Sequence, residues 1–464
     1  MNPFAKFSMM SELSDTIKGC LQVQNGQVSF LDQGKATGTL TDRLVYNSVF
    51  HPDTQIKATS RWLIKAMARA SQIFPASISG IFEFSKHQGA RNLTLPVFQI
   101  TAFSYTMARS IFRAARENNA CAFIFEIDSN QIFHGNQTSG EFSTIVSAAA
   151  IREKYKGPIF IQGDYISFHG EDYQQNPTQE KSRLKNLINE AIKSGLYNLW
   201  MDSSEDILPR GVGGEKNQNL KAPLFAELTD SVRILEPKGI DISLGCQINP
   251  FQESGFKKKD IREFMEQYQA KLQSLNPGAK GISKLGFSPE RDSLATQPYG
   301  APYEPEPLDP NTLIGLSKFA NEEYGLMGRI NLKPSDSSQN NLKRFSKIGN
   351  AEIHVPLEYH TLMINHHDFP SEFKDELNFN FPNPLEEEKT QSPLSHKPFR
   401  VFKEKLWTLP EPLQQDISKD LETQVSSLLK ALQIDHTQEM VFRSTSNPLV
   451  PLNLSEEMEI CKKE

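Results

Sequence analysis

Short apolar runs alternate with amphipathic helical periods through most of this chain. LPVFQI is followed by a helical pattern across 104–118, and CAFIFEI by another across 141–154. The stretch 157–204 repeats the theme. GPIFIQGD ends in Gln162, Gly163 and Asp164, a helical period intervenes, and GLYNLWMDSS ends in Asp202. Apolar runs that close on a carboxylate and are joined through a helix read as β-α-β units of a parallel sheet. The alternation continues with a helix at about 218–235, GIDISLG, a helix over 257–275, GISKLGF, a polar and proline-rich loop over 287–308, a helix over 310–324, GLMGRINL and AEIHV. Eight strands are therefore predicted near residues 96, 122, 159, 197, 241, 282, 326 and 352. Their number and order predict an α/β protein with a (β/α)8 TIM barrel, whose functional groups gather at the C-terminal ends of the strands. A doubly wound open sheet competes, but the GxGxxG turn expected after its first strand is absent.

The barrel occupies 95–369, with helical additions on either side. Residues 1–94 read as a mainly helical preface, with helical patterns at about 39–49 and 60–73 and one short strand-like segment, LQVQNGQVSFL. Residues 370–464 read as a solvated loop, NPLEEEKTQSPLSHKP, then the amphipathic helix LQQDISKDLETQVSSLLKALQI, then a loose polar tail. Leu421, Val425, Leu428, Leu429 and Leu432 give that helix an apolar face, to be covered by the barrel's outer wall or by a second subunit.

Composition narrows the function. The 464 residues are 38% apolar and 23% charged, as in globular proteins, and the net charge of −6 gives no large-scale attraction to nucleic acid or anionic membrane. No apolar stretch has the length of a bilayer span, and the first residues lack the apolar core of a signal peptide, so a cytoplasmic setting is expected. Cys20, Cys121, Cys246 and Cys461 are widely spaced and form no CxxC or zinc-ribbon pattern; reduced thiols are expected.

Candidate chemistry sits at the strand ends. Asp164 and Asp202 follow successive strands and can face one cleft, where partial burial would raise a carboxylate into the range of proton transfer; loop solvation or helix capping is the plainer role, above all for Asp202 beside Ser203 and Ser204. Glu126 and Asp128 end the second strand, and Asn130 and Gln131 after them could bind sugar hydroxyls or hold the rim together. Lys284 lies near the end of the sixth strand, where a lysine serves imine chemistry, a carboxylate or a phosphate. Arg329 and Lys333 flank the end of the seventh, with Ser335 in the KPSDSS turn beyond, the best phosphate candidate. HExxH is absent. His134, His169 and His354 are the histidines whose positions would allow a cross-strand metal site; ordinary structural roles are the alternative.

Over about 95–435 the chain resembles the longer bacterial class II ketose-bisphosphate aldolases, of the fructose- and tagatose-bisphosphate type. The resemblance is carried by ARSIFRAARENNACAFIFEIDSNQ, IFIQGD, LINEAIKSGLYNLWMDSS, AELTDSVRILEPKGIDISLG, GISKLG, LSKFANEEYGLMG and AEIHVPLEYHTLMINHHDFP. It implies a TIM barrel, a homodimer, and zinc-assisted aldol cleavage in which an aspartate moves a proton. Where that family carries Gly-Asp-His after the third strand, this chain has Gly163, Asp164 and Tyr165, and a phenol ligates poorly unless ionised. The family's carboxylate-bearing run after the fifth strand is replaced by Gly245-Cys246-Gln247-Ile248, the histidine past the sixth is missing, and the His-Gly after the seventh is Arg329-Ile330-Asn331. The expectation is an aldolase-like pseudoenzyme without metal or cofactor that retains sugar-phosphate binding. The alternative is an active aldolase with Asp164 as acid/base and either a substitute zinc site or an imine at Lys284.

Overall fold

The computed structural model describes residues 3–87, 93–99, 104–133, 135–202, 214–248, 257–287, 310–331, 342–343, 345–346, 349–357, 359–380 and 397–464. After a first helix, Met10–Lys18, comes a hairpin of β1 (Leu21–Gln24) and β2 (Gln27–Phe30), turned by Asn25 and Gly26, both with positive φ, as a two-residue hairpin loop requires. β3 (Ile73–Ala76) follows the helix Thr54–Ala70. Eight parallel strands then appear: β4 (Thr94–Gln99), β5 (Ile124–Asp128), β6 (Gly157–Ser167), β7 (Asn198–Asp202), β8 (Ser243–Ile248), β9 (Lys284–Phe287), β10 (Met327–Asn331) and β11 (Ala351–Pro356). Each pairs with its sequence neighbour, and β11 returns to β4, closing the (β/α)8 barrel that the alternation predicts. Such strands are buried on both faces, which is why they read as near-continuous apolar runs.

β6 is longer than its neighbours for a reason. Its first residues, Gly157–Phe160, pair with β3, and only from Gln162 does the same edge pair with β7. Asn198, fully buried, bridges the changeover: its amide donates to the Ala76 and Ile161 carbonyls (both 3.1 Å), and its oxygen accepts from Ile78 N (2.9 Å). The preface thus contributes a ninth strand at the base of the barrel, absent from the sequence expectation. Pro75 within the short run IFPA masked it, since proline argues against a ladder strand, and here it sits in an outermost one.

The predicted amphipathic helix is present as Glu411–Ala431, and its five leucine and valine positions are buried against the helix Ser104–Glu117 on the barrel's outer wall, tied there by Arg113–Glu422 (2.6 Å). The expected loose tail is instead an ordered helix, Leu454–Lys463, packed on Thr54–Ala70. Lys65 pairs with Glu457, and Glu464 binds the fully buried guanidinium of Arg61 through both carboxylate oxygens. A buried cation demands such a partner, and it orders a stretch whose charged sequence reads as solvated. No described helix is long and apolar enough to cross a membrane.

Candidate functional site

Alternate residues of a barrel strand face the axis, so the inward positions can be followed strand by strand. They carry Gln99 on β4, Glu126 on β5, Gln162 and Asp164 on β6, Trp200 on β7, Lys284 on β9, Arg329 on β10, and Glu352 and His354 on β11. These side chains form one connected polar network. Lys284 Nζ, with no solvent exposure, lies 3.0 Å from Glu352 Oε1 and donates to Gln162 Oε1. Gln162 Nε2 donates to Glu126 Oε2 at 2.8 Å, and Gln99 Nε2 reaches Glu126 Oε1 at 3.1 Å. His354 Nδ1 is 3.0 Å from Glu126 Oε1, and its Nε2 is 3.6 Å from Glu352 Oε2.

A second group joins Asp164, Arg329 and Trp200. Arg329 Nη2 donates to Asp164 Oδ2 at 2.7 Å and Nε to Asn331 Oδ1 at 3.0 Å, while the guanidinium lies 4.3 Å from the centre of the Trp200 ring. The indole has room because β8 and β9 carry glycine beside it. A Cβ at Gly245 would stand 2.4 Å from the ring, and one at Gly286 would stand 2.8 Å away. Two isolated strand glycines therefore mark a close approach, and what approaches is a tryptophan lying across the barrel axis.

The electrostatics are those of a closed ion-pair system. Burial pushes Glu126 up, but His354 and Arg329 outweigh it and hold the carboxyl down at about 2. Glu352 is likewise held below the ordinary carboxylate range, burial being overcome by Lys284 and His354. Burial and Arg329 work against the His354 cation, yet Glu126 and Glu352 keep it above its ordinary value. Burial draws Lys284 below the usual lysine value against the pull of Glu352; the 3.0 Å contact and the Gln162 hydrogen bond favour the ionised pair. Asp164 differs. Burial pushes it up to about 6, with Arg329 opposing and Glu126 and Asp202 adding to the rise. Lys284, Arg329 and the imidazole of His354 thus face the three carboxylates of Glu126, Glu352 and Asp164.

Of the residues singled out by sequence, Glu126, Asp164, Lys284, Arg329 and His354 are brought into this interior. Their surroundings differ from the roles first weighed. Lys284 is sealed inside rather than placed at a rim, and Arg329 is spent on Asp164 and Asn331. Gln131 is buried, and its side chain accepts from Asp128 N at 3.1 Å, which makes it part of the rim's own structure. Asp202 ends β7 in a half-buried position. Asn130 lies in the first turn of the short helix Ser129–Phe133, its side chain outside the described residues, as are Lys333, Ser335 and His134. Tyr165 faces away from Asp164: it is buried in the helix layer, with its hydroxyl 2.7 Å from Ser139 Oγ. Sequence reasoning did not single out Gln162, Trp200 and Glu352. The available signal was the pair of glycines at 245 and 286, which leave a void for one large neighbour.

A zinc ion does not fit these residues. His354 is engaged through Nδ1 by Glu126, Asp164 is engaged by Arg329, and Lys284 already supplies the positive charge at Glu352. Among the described residues, the groups of three side chains close enough to share an ion are His169–Asp172–Glu180 and His366–His367–Asp368, and neither includes a barrel carboxylate. His169 serves elsewhere, as the residue before the helix Gly170–Gln175 with Nδ1 3.2 Å from Asp172.

No family model matches the chain, and no curated protein matches it. Among solved structures, a Rubisco-like protein from Rhodopseudomonas palustris is similar over 83% of this chain and 84% of that one, at 10% sequence identity and a TM-score of 0.31. A superposition that loose carries no argument about chemistry, and the class defined by the strand order itself is the TIM barrel.

Proposed function

We propose that this protein is an aldolase-like barrel that has exchanged metal-assisted chemistry for internal ion pairing, and that it binds a sugar phosphate without cleaving it. The observation that carries the reading is the pairing of Lys284, Arg329 and His354 with three carboxylates along the axis. A self-neutralised interior offers a metal ion no uncompensated charge, and breaking such pairs costs several kcal/mol, roughly 3–5 for each partner removed. The homodimer and the cytoplasmic setting belong to the same reading.

The test is direct. Purified protein should hold no stoichiometric zinc after dialysis, release no triose phosphate from fructose or tagatose bisphosphate, and bind one of these sugars saturably in calorimetry. Tightly held zinc or turnover would overturn it.

Asp164 favours a second reading. A carboxyl near 6 can exchange a proton at neutral pH, as an acid/base in an aldol step would. Its weak point is Lys284: an imine-forming amine must be unprotonated and reachable, and this one is sealed and ion-paired. Borohydride in the presence of a ketose bisphosphate should leave Lys284 unmodified; a covalent adduct there would restore the enzyme reading.

A further inference from the structure

At the opposite end of the barrel from Asp164, a cavity of about 410 Å³ opens between the helices Thr54–Ala70, Ser139–Arg152 and Pro177–Lys193, the strand β3, and the segment 447–457. That volume lies in the range of small-molecule sites, roughly 300–1,000 Å³. Its walls are mainly apolar, with Ile73, Phe74, Ile192 and Val450 among them, and Leu235 forms a partly exposed lip.

A charged group faces this space without a carboxylate partner among the described residues. Ser143 and Ser194 also line it, but their hydroxyl oxygens are shielded from the open volume and make no hydrogen bond among the described residues. Arg69 stands on another wall. Its Nη2 donates to the Val450 carbonyl, and among the described residues no carboxylate meets its guanidinium. Burial correspondingly draws Arg69 below the usual arginine value. Lys65, one turn earlier on the same helix, is already neutralised by Glu457.

We propose that this basal cavity is a binding site for a small amphipathic monocarboxylate. Its carboxylate engages the Arg69 guanidinium, and its apolar body lies between Ile73, Ile192 and Val450. An anion there meets a cation that no carboxylate engages among the described residues, and charge-assisted bonds to a guanidinium are among the stronger polar contacts. The segment 447–457 is the cover: it is held by Arg69 at Val450 and by Lys65 at Glu457, so ligand and cover share the same helix face. The site is independent of the barrel mouth.

Octanoate is the probe, titrated into the full chain by calorimetry, with 1-octanol as its neutral counterpart. One octanoate should bind per chain and raise the melting temperature. Arg69→Gln should weaken it at least tenfold, and Ser143→Leu, which adds bulk at a lining position, should abolish it. Absence of saturation at millimolar octanoate, indifference to Arg69→Gln, or equal affinity for 1-octanol would overturn the proposal. Arg69 is half-buried on a helix face, so its variant keeps the test intact even where Ser143→Leu does not fold.

Discussion

The barrel axis and the basal cavity lie in one barrel, yet they place buried polarity differently. Along the axis, Glu126, Gln162, Lys284, Glu352 and His354 bond to one another, and Trp200 takes up the space beside them. At the base, an arginine that meets no carboxylate among the described residues stands beside open, mainly apolar volume. Polar groups that pair across a filled axis contribute to one fixed structure; a cation beside a void is disposed to receive a ligand. The end of a TIM barrel that ordinarily serves stability thus carries the open cavity in this protein.

The contrast breaks most visibly at Glu352. Glu352→Leu leaves Lys284 buried with one partner removed and should cost about 3–5 kcal/mol in urea denaturation, whereas adding Lys284→Met should recover most of it. Should the single variant be neutral, the axis is not the closed ion-pair system described above.

Acid is the next lever. Glu126 is held at about 2 in the fold against an ordinary 4.5, so its contribution is present above pH 4.5 and is lost as the pH falls through 2. His354 has the opposite sign: its folded value is raised, so its contribution is complete below about 6.5 and fades as the pH climbs through the higher folded value. Urea midpoints across pH 2 to 9 should therefore fall on both sides, and Glu126→Gln should flatten the acid limb while lowering stability near neutrality.

Smaller effects distinguish filling from bonding. Gly286→Ala drives a methyl into the Trp200 ring and should cost about 1–3 kcal/mol, a loss that Trp200→Phe in the same chain should reduce. At the base, Ser143→Ala removes a hydroxyl with nothing to bond and should shift stability upward by no more than about 1 kcal/mol, the reverse of every axial change. A marked loss there would mean that the serine is satisfied after all.

The fold was legible because a parallel barrel writes each strand as an uninterrupted apolar run: all eight predicted positions fall in or within about three residues of an observed strand. What stayed hidden depends on distant partners. β3 carries a proline in four residues, and the terminal helix owes its order to Arg61, far away in sequence. Asp164 was recognisable from its place at a strand end, and Lys284 and Arg329 as polar groups near strand ends. Their pairing was not, since it joins β6 to β10 and β9 to β11 across the axis, contacts that no local pattern encodes.

Trp200 has a consequence for how such a barrel changes over generations. Because Gly245 and Gly286 place no side chain beside it, much of the axial volume at that level belongs to a single codon. Exchanging the indole for a small residue would hollow the barrel and uncover one face of the Arg329 guanidinium in the same step. An interior closed by one residue is closed reversibly: the lineage that filled it stands one substitution from a vacant chamber in which selection can begin again.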